Sequence, residues 1–336
     1  MNNNPPRVSI GMAVYNGENF IKEAIESILA QTFHDFELII SDNASTDTTQ
    51  AICLEFVNND QRISYFRNEE NFGAAQNHNR VLELSRGEYF KWISHDDVLA
   101  PEFLAQCVEV LDQKPLVILC YPRTMYIDED GKPLAEYKQG HHRYSNLAAD
   151  SSKVANTFRR LVNPILGDGK FHVDSPQPRV RFRSVLSNMG RCYPVFGLIH
   201  SNILKKTVSL GNYGHADGIL LARLALLGRF YEIPEHLFFY RRHSQQSVAV
   251  YSKNGENDYY EFAQWWDPAN KGQIMFPRWK MFSEYWQAIS ETPLSLYDRV
   301  CCYFDALNWL RGSWVYLVKE VMRGISQFFH LEKKYS

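Results

Sequence analysis

The stretch VSIGMAVYNGENFIKEAIESILAQTFHDFELIISDNASTDTT, residues 8–49, decides the fold. Val8 to Val14 is apolar on both faces of an extended chain, so it reads as a buried β-strand. Between Phe20 and Leu29 the apolar residues fall at 20/21, 24/25 and 28/29, the single face of a helix. Phe36 to Ile40 is a second buried strand. Asn43-Ala44-Ser45-Thr46-Asp47-Thr48, rich in helix-capping types, follows it ahead of an apolar helix from Ala51. Strand, helix, strand, helix in this order is the pattern of βαβ units and a mainly parallel sheet.

The alternation continues outward. Ile63–Phe66 and Glu88–Ile93 read as strands, His78–Leu84 and Pro101–Leu111 as helices, and Leu116–Tyr121 as a buried strand. Asp130-Gly131 marks a turn. Residues 132–180 are polar and weakly periodic, the signature of a long surface excursion. Patterning resumes with Val195–Ile203, a helix over Gly218–Leu227 and the strand-like Leu237–Tyr240. The remainder, from about Asp258, is helical and aromatic. The expected class is α/β: a mixed, mainly parallel sheet flanked by helices, with a helical C-terminal extension. The expected divisions are residues 7–127, then 128–250 containing the loop 132–180, and 251–336 as the extension.

A chain of 336 residues with 45% hydrophobic content is long enough for a large core. Its 36 Lys+Arg against 38 Asp+Glu give no basic field for nucleic acid, so an anionic ligand must be held locally. The N-terminal Met-Asn-Asn-Asn-Pro-Pro-Arg lacks the features of a signal peptide. No run approaches the roughly 18 apolar residues of a membrane span. Together these features predict a cytoplasmic protein. The six cysteines lack metal-ligand spacing and are expected to be reduced and mostly buried.

In a doubly wound sheet, ligands bind beyond the carboxyl ends of the strands. Tyr15-Asn16-Gly17 ends the first strand, Asp42-Asn43 the second, and Ser94-His95-Asp96-Asp97 the fourth, so three segments deliver polar groups to one edge. Adjacent carboxylates repel unless a cation or hydrogen bonds compensate, and hard oxygen ligands select Mg²⁺ or Mn²⁺. The bland alternative is that Asp96 and Asp97 cap the helix near Pro101.

The stretch quoted above, NFGAAQNHNRVLELSRGEYFKWISHDD, GHADGILLARLALLGRF and YRRHSQQS occur in an order that resembles glycosyltransferase family 2, with the fold called GT-A. The resemblance implies an inverting enzyme that moves a sugar from a nucleotide-diphosphate donor to a hydroxyl acceptor, in surface polysaccharide or glycolipid synthesis. It implies a donor site of Tyr15, Asn16, Asp42, Asn79, His95, Asp96, Asp97 and His243. Within it, Tyr15 and Asp42 face the base, and Asp96, Asp97 and His243 lie at a Mg²⁺ or Mn²⁺ ion. Asp217 matches the general base. For Asp217 the structural alternative is an N-cap of the helix from Gly218.

Ser94 replaces the first aspartate of the family's DxD motif, His78 the Arg of its Ala-Arg-Asn pattern, and Ala216 the Glu before Asp217. These departures keep open a catalytically silent sugar-binding protein on the same fold. A sugar nucleotidyltransferase is the other alternative, although the first loop here is acidic and Gly-poor. His141, His142 and His172 read as solvated loop histidines. Leu296–Phe329 carries an amphipathic helical pattern, read first as packing on the domain and second as peripheral contact with the inner face of a membrane, for which Arg299, Arg311, Lys319 and Arg323 suit anionic lipid.

Overall fold

A computed structural model of the chain describes residues 5–134, 171–188, 192–207, 210–250 and 259–335. Its sheet has eight strands: β1 (Val8–Val14), β2 (Phe36–Asp42), β3 (Ile63–Arg67), β4 (Tyr89–Ile93), β5 (Val98–Leu99), β6 (Val117–Ile127), β7 (Leu198–His200) and β8 (Arg229–Arg241), in the order β3-β2-β1-β4-β7-β6-β8-β5. β3, β2, β1 and β4 run parallel, with Val8 opposite both Phe36 and Tyr89. β7 lies antiparallel to β4 and β6, and β5 antiparallel to β8. The mixed, mainly parallel class expected from the sequence is what forms.

β1, β2 and β4 are buried along their whole length, as strands covered on both faces must be. On α1 (Ile21–Leu29), Ile21, Ala24, Ile25 and Ile28 are the buried residues, and the i, i+3, i+4, i+7 spacing puts them on one face against the sheet. α2 (Thr49–Asn59), α3 (Ala74–Leu84) and α4 (Phe103–Gln113) complete the flanking layers. The core gathers Val8, Ile10, Met12, Leu38, Ile40, Tyr89, Phe103, Leu104 and Phe238. Cys53, Cys107, Cys120 and Cys302 are buried, Cys192 and Cys301 half-buried, and all six are free thiols.

β6 and β8 are longer than their apolar patterns suggested, and Val195–Ile203 divides into a short turn, β7 and another short turn. Of the excursion at 132–180, residues 135–170 lie outside the described residues, with His141 and His142. His172 donates its backbone N–H to Ser184 Oγ at 2.8 Å. Later helices are α5 (Pro178–Ser187), α6 (Ala216–Leu227), α7 (Tyr259–Trp266), α8 (Pro277–Glu291), α9 (Leu296–Gly312) and α10 (Trp314–Tyr335).

The chain forms two compact units. The first comprises residues 1–137, 193–212 and 230–269 and holds most of the sheet; the second comprises 138–192, 213–229 and 270–336 and is helical where described. Within the second, α5 and α8 flank α6, and α8 also packs against α9 and α10. Buried Arg223 of α6 binds Glu284 at 2.9 Å and Glu291 at 2.8 Å, so the charge that α6 carries inward is paired at both ends. No helix among the described residues is long and apolar enough to cross a membrane.

Candidate active site

Three loops meet at the carboxyl edge of the parallel strands. After β1, Asn16 has φ 52° and after β2 Ala44 has φ 61°, left-handed conformations that persist only when surroundings fix them. The loops fix each other. Asn16 N–H donates to Ser45 Oγ at 2.9 Å, Asn16 Oδ1 accepts from Thr46 N–H at 2.8 Å, and Gly17 N–H donates to Thr49 Oγ1 at 2.8 Å. Tyr15 stands 42% exposed beside them.

Asp42 is wholly buried. One oxygen accepts from Ser45 N–H at 2.8 Å; the other accepts from Tyr65 Oη and from Arg67 Nη1 at 2.8 Å. The most exposed member of this cluster is Arg67, its side chain 34% exposed, whose guanidinium also donates to Ser45 O. Asn79 does not join these loops: its amide clasps the Leu210 backbone, donating to the carbonyl at 2.8 Å and accepting from the N–H at 2.9 Å. Asn77, which sequence reasoning missed, ties the ends of β1 and β2 together. It accepts from Ser41 Oγ at 2.6 Å and donates to Ser41 O at 2.9 Å and Val14 O at 3.3 Å.

The turn after β4 carries the acids. Asp96 Oδ2 lies 2.9 Å from His243 Nε2 and accepts from Gln246 Nε2 at 3.3 Å, so the segment after β8 closes on the end of β4. Asp97 points inward; its Oδ1 accepts from Arg241 N–H at 3.1 Å, and its Oδ2 is buried without a hydrogen-bond partner. Neither acid caps a helix, because α4 starts at Phe103 with Glu102 at the cap position. His95 packs over Gly17, where an added methyl group would lie 2.7 Å from its Cδ2.

Electrostatics separates the two carboxyls. Burial and then the neighbouring Asp96 charge push Asp97 well above the usual carboxylate range. Burial also opposes ionisation of Asp96, but the His243 hydrogen bond, the His95 and His243 charges and Gln246 outweigh it, so Asp96 titrates below its ordinary value. The pair therefore resists carrying two negative charges while keeping the outer one ionised. Arg241, 1% exposed, braces the turn from behind: Nε donates to Asp96 O at 2.9 Å, Nη1 to Asp128 O at 3.2 Å and Glu129 O at 2.9 Å, and Nη2 to Glu23 at 2.5 Å. Lys91, buried between the Phe103 and Phe238 rings, donates to Phe196 O and is lowered by burial to about 7. Arg241, Gln246 and Lys91 all lie in quoted motifs, yet nothing in the spacing distinguishes them from their neighbours.

Asp217 belongs to the second unit. It sits in the first turn of α6, where its Oδ1 accepts from Gly218 N–H at 2.8 Å. The cap position is His215, at φ 64°, without a side-chain cap bond, so Asp217 is not the N-cap. The Cys192 thiol is raised well above its ordinary value by burial and by the charge and hydrogen bond of Asp217. Burial lowers His215 to about 4, against the opposing pull of Asp217.

Among the described residues, no group of three or more His, Cys, Asp or Glu side chains forms a metal cluster. The chemistry of the edge nonetheless suits a hard cation held by few protein ligands. Asp96 Oδ2 is the ionised oxygen at this edge, its hydrogen bond to His243 Nε2 is one that an ion taken up there would replace, Asp97 Oδ2 is an orphaned acceptor beside it, and magnesium-type ions take one or two carboxylates and complete their shell with substrate phosphate oxygens.

A Rossmann-like sheet with its acids at the carboxyl edge of the parallel strands defines the GT-A class. The model of Glycosyl transferase family 2 matches residues 9–189, more than half of the chain, and the chain belongs to that family of transferases. TuaG of Bacillus subtilis, named for a provisional role in teichuronic acid biosynthesis, is 27% identical over 222 residues, covering 60% of this chain and 83% of TuaG. The chain spans 18% to 50% of the length of several curated glycosyltransferases from Methanocaldococcus and Rickettsia. Residues 1–349 of Staphylococcus aureus TarS share the fold at TM-score 0.58 and 15% identity, covering 90% of this chain and 71% of that one. A Pyrobaculum calidifontis mannosyltransferase, solved with GDP-Man and Mn²⁺, does so at TM-score 0.52 and 14% identity, covering 96% and 75%.

Proposed function

We propose that the protein transfers a sugar, with inversion, from a nucleotide-diphosphate donor to a hydroxyl of a saccharide or lipid-linked acceptor in surface polysaccharide or glycolipid synthesis. The observation that carries this reading is the meeting of Asp96 with His243 and Gln246 at the strand edge, beside the interlocked loops after β1 and β2. In this reading residues 7–127 hold the donor, 128–250 the acceptor, and 251–336 are an extension.

Tyr15 stacks on the base, while Asp42, wholly buried with its oxygens taken by Ser45, Tyr65 and Arg67, serves that side of the site by holding Arg67 in place. Asn16 and His95 shape the donor site, and Asn79 supports it from outside the loops by holding the Leu210 backbone. Asp96 and His243 hold Mg²⁺ or Mn²⁺ with Asp97 behind them; the ion, when bound, neutralises charge on the leaving diphosphate. Asp217 accepts the proton of the acceptor hydroxyl. The TuaG likeness and the Mn²⁺ and GDP-Man of the Pyrobaculum structure support the polysaccharide and metal parts of this assignment.

A panel of nucleotide sugars screened by thermal shift with Mn²⁺, followed by donor turnover with and without metal, tests it. Transfer is expected to stop in excess EDTA and in Asp96→Ala, and to weaken in Asp97→Ala. Full activity in EDTA would sink the metal assignment. Donor binding without any turnover would favour the silent sugar-binding alternative left open by Ser94 and Ala216.

A further inference from the structure

The C-terminal helices leave an apolar surface uncovered. α10 is docked by one edge: Leu317, Glu320 and Gly324 are buried, Glu320 binds Arg278 at 3.1 Å, Trp279 Nε1 donates to Leu317 O at 3.4 Å, and a methyl group added at Gly324 would lie 2.7 Å from the Phe276 ring. These contacts fix the helix's rotation. Beside that edge, turned to solvent, run Val315, Val318, Val321, Met322, Ile325 and Phe328, on successive turns of the helix and 38% to 61% exposed. α9 repeats the pattern, burying Cys302, Asp305 and Ala306 and exposing Leu296, Val300, Phe304 and Leu307. The sequence expectation that this stripe packs on the domain is therefore met only along the narrow buried edges.

Among the described side chains of these two helices the exposed charges have one sign. Arg311, Lys319 and Arg323 are exposed on these two helices, whereas among their described side chains no Asp or Glu is exposed. Asp298 is partly covered near Arg179, Asp305 is paired with Arg183, and Glu320 with Arg278. This is a local basic face on a chain whose net charge is −2. Two copies of the face brought together would oppose Arg311 and Lys319 with like charges and, among the described side chains of these helices, supply no exposed acid. An anionic lipid leaflet supplies that complement and takes the Trp314, Phe328 and Phe329 rings at its headgroup level.

We infer that α9 and α10 form a peripheral docking surface for an anionic lipid bilayer, with α10 lying in the interface along its Val318–Ile325 stripe. This makes the membrane side of the proposed function specific to one face, and it rests on that reading only for its biological purpose. Lipid binding requires no turnover, so the two can fail separately.

Flotation of the full chain with vesicles tests the surface. One set is phosphatidylcholine alone and the other contains about one third phosphatidylglycerol, at low salt and at about 0.5 M NaCl. Binding is expected to be at least about tenfold stronger on the anionic vesicles and to weaken with salt. Val318→Asp/Ile325→Asp should abolish flotation while the thermal shift with nucleotide sugar persists. Arg311→Glu/Lys319→Glu should remove the anionic preference. Absence of flotation, equal binding to both vesicle types, or sedimentation showing that the stripe is covered by a second copy would each overturn the inference.

Discussion

Asp217 and His215 pose the question of the proposed base at the scale of single residues. Asp217 already accepts one hydrogen bond from its own helix turn and lies next to the Cys192 thiol. Asp217→Asn keeps the side-chain shape and removes the proton acceptor, so kcat should fall by about 10² or more while donor Kd stays within a few-fold. Retained turnover, or a product with retained anomeric configuration, would reassign the base. His215 gives a pH test. Its folded pKa, lowered by burial to about 4, lies below the ordinary histidine value, so between the two the unfolded chain binds more protons and stability falls as pH falls from about 6.5. His215→Asn, which tolerates the left-handed backbone, should lose less stability than the parent between pH 7 and pH 5 in urea titrations.

At the scale of elements, the sheet was legible where apolar runs met caps and turns, and obscure where they did not. β1, β2 and β4 are buried on both faces, so their sequences are unbroken apolar runs. β5 and β7 are too short to carry any period, and the early part of β8, Arg229–Glu235, mixes charges with apolar residues because several of its side chains are half-buried or exposed. The edge that holds the candidate site was readable from where strands stop; its bracing was not, because a buried arginine looks like any surface arginine in sequence. Arg241→Met tests that bracing. It leaves the carbonyls of Asp96, Asp128 and Glu129 without their donor, and an unsatisfied buried acceptor costs about 1–3 kcal/mol, against about 1 kcal/mol or less for Glu23→Gln at a half-exposed position. Chemical denaturation of both variants decides it; equal losses would mean that Arg241 is replaceable packing.

For the whole molecule, the division into two units separates what the donor should stabilise from what it should not. The interlocked loops, the Asp96–His243 contact and the Asn77 clamp all belong to the first unit, and Asp217 and α8 to α10 to the second. A ligand that binds only the folded state stabilises it by RT ln(1 + [L]/Kd), about 2.7 kcal/mol at a hundredfold excess over Kd. That stabilisation appears in hydrogen exchange where opening exposes the site. With nucleotide sugar and Mn²⁺, protection should rise in β1, β2, the turn after β4 and the end of β8, and change far less in α8, α9 and α10. The same experiment with vesicles in place of donor should reverse the pattern, protecting α9 and α10 alone. Protection that rises uniformly with donor would mean that the two units open together, and the site could not then be assigned to the first unit by this route.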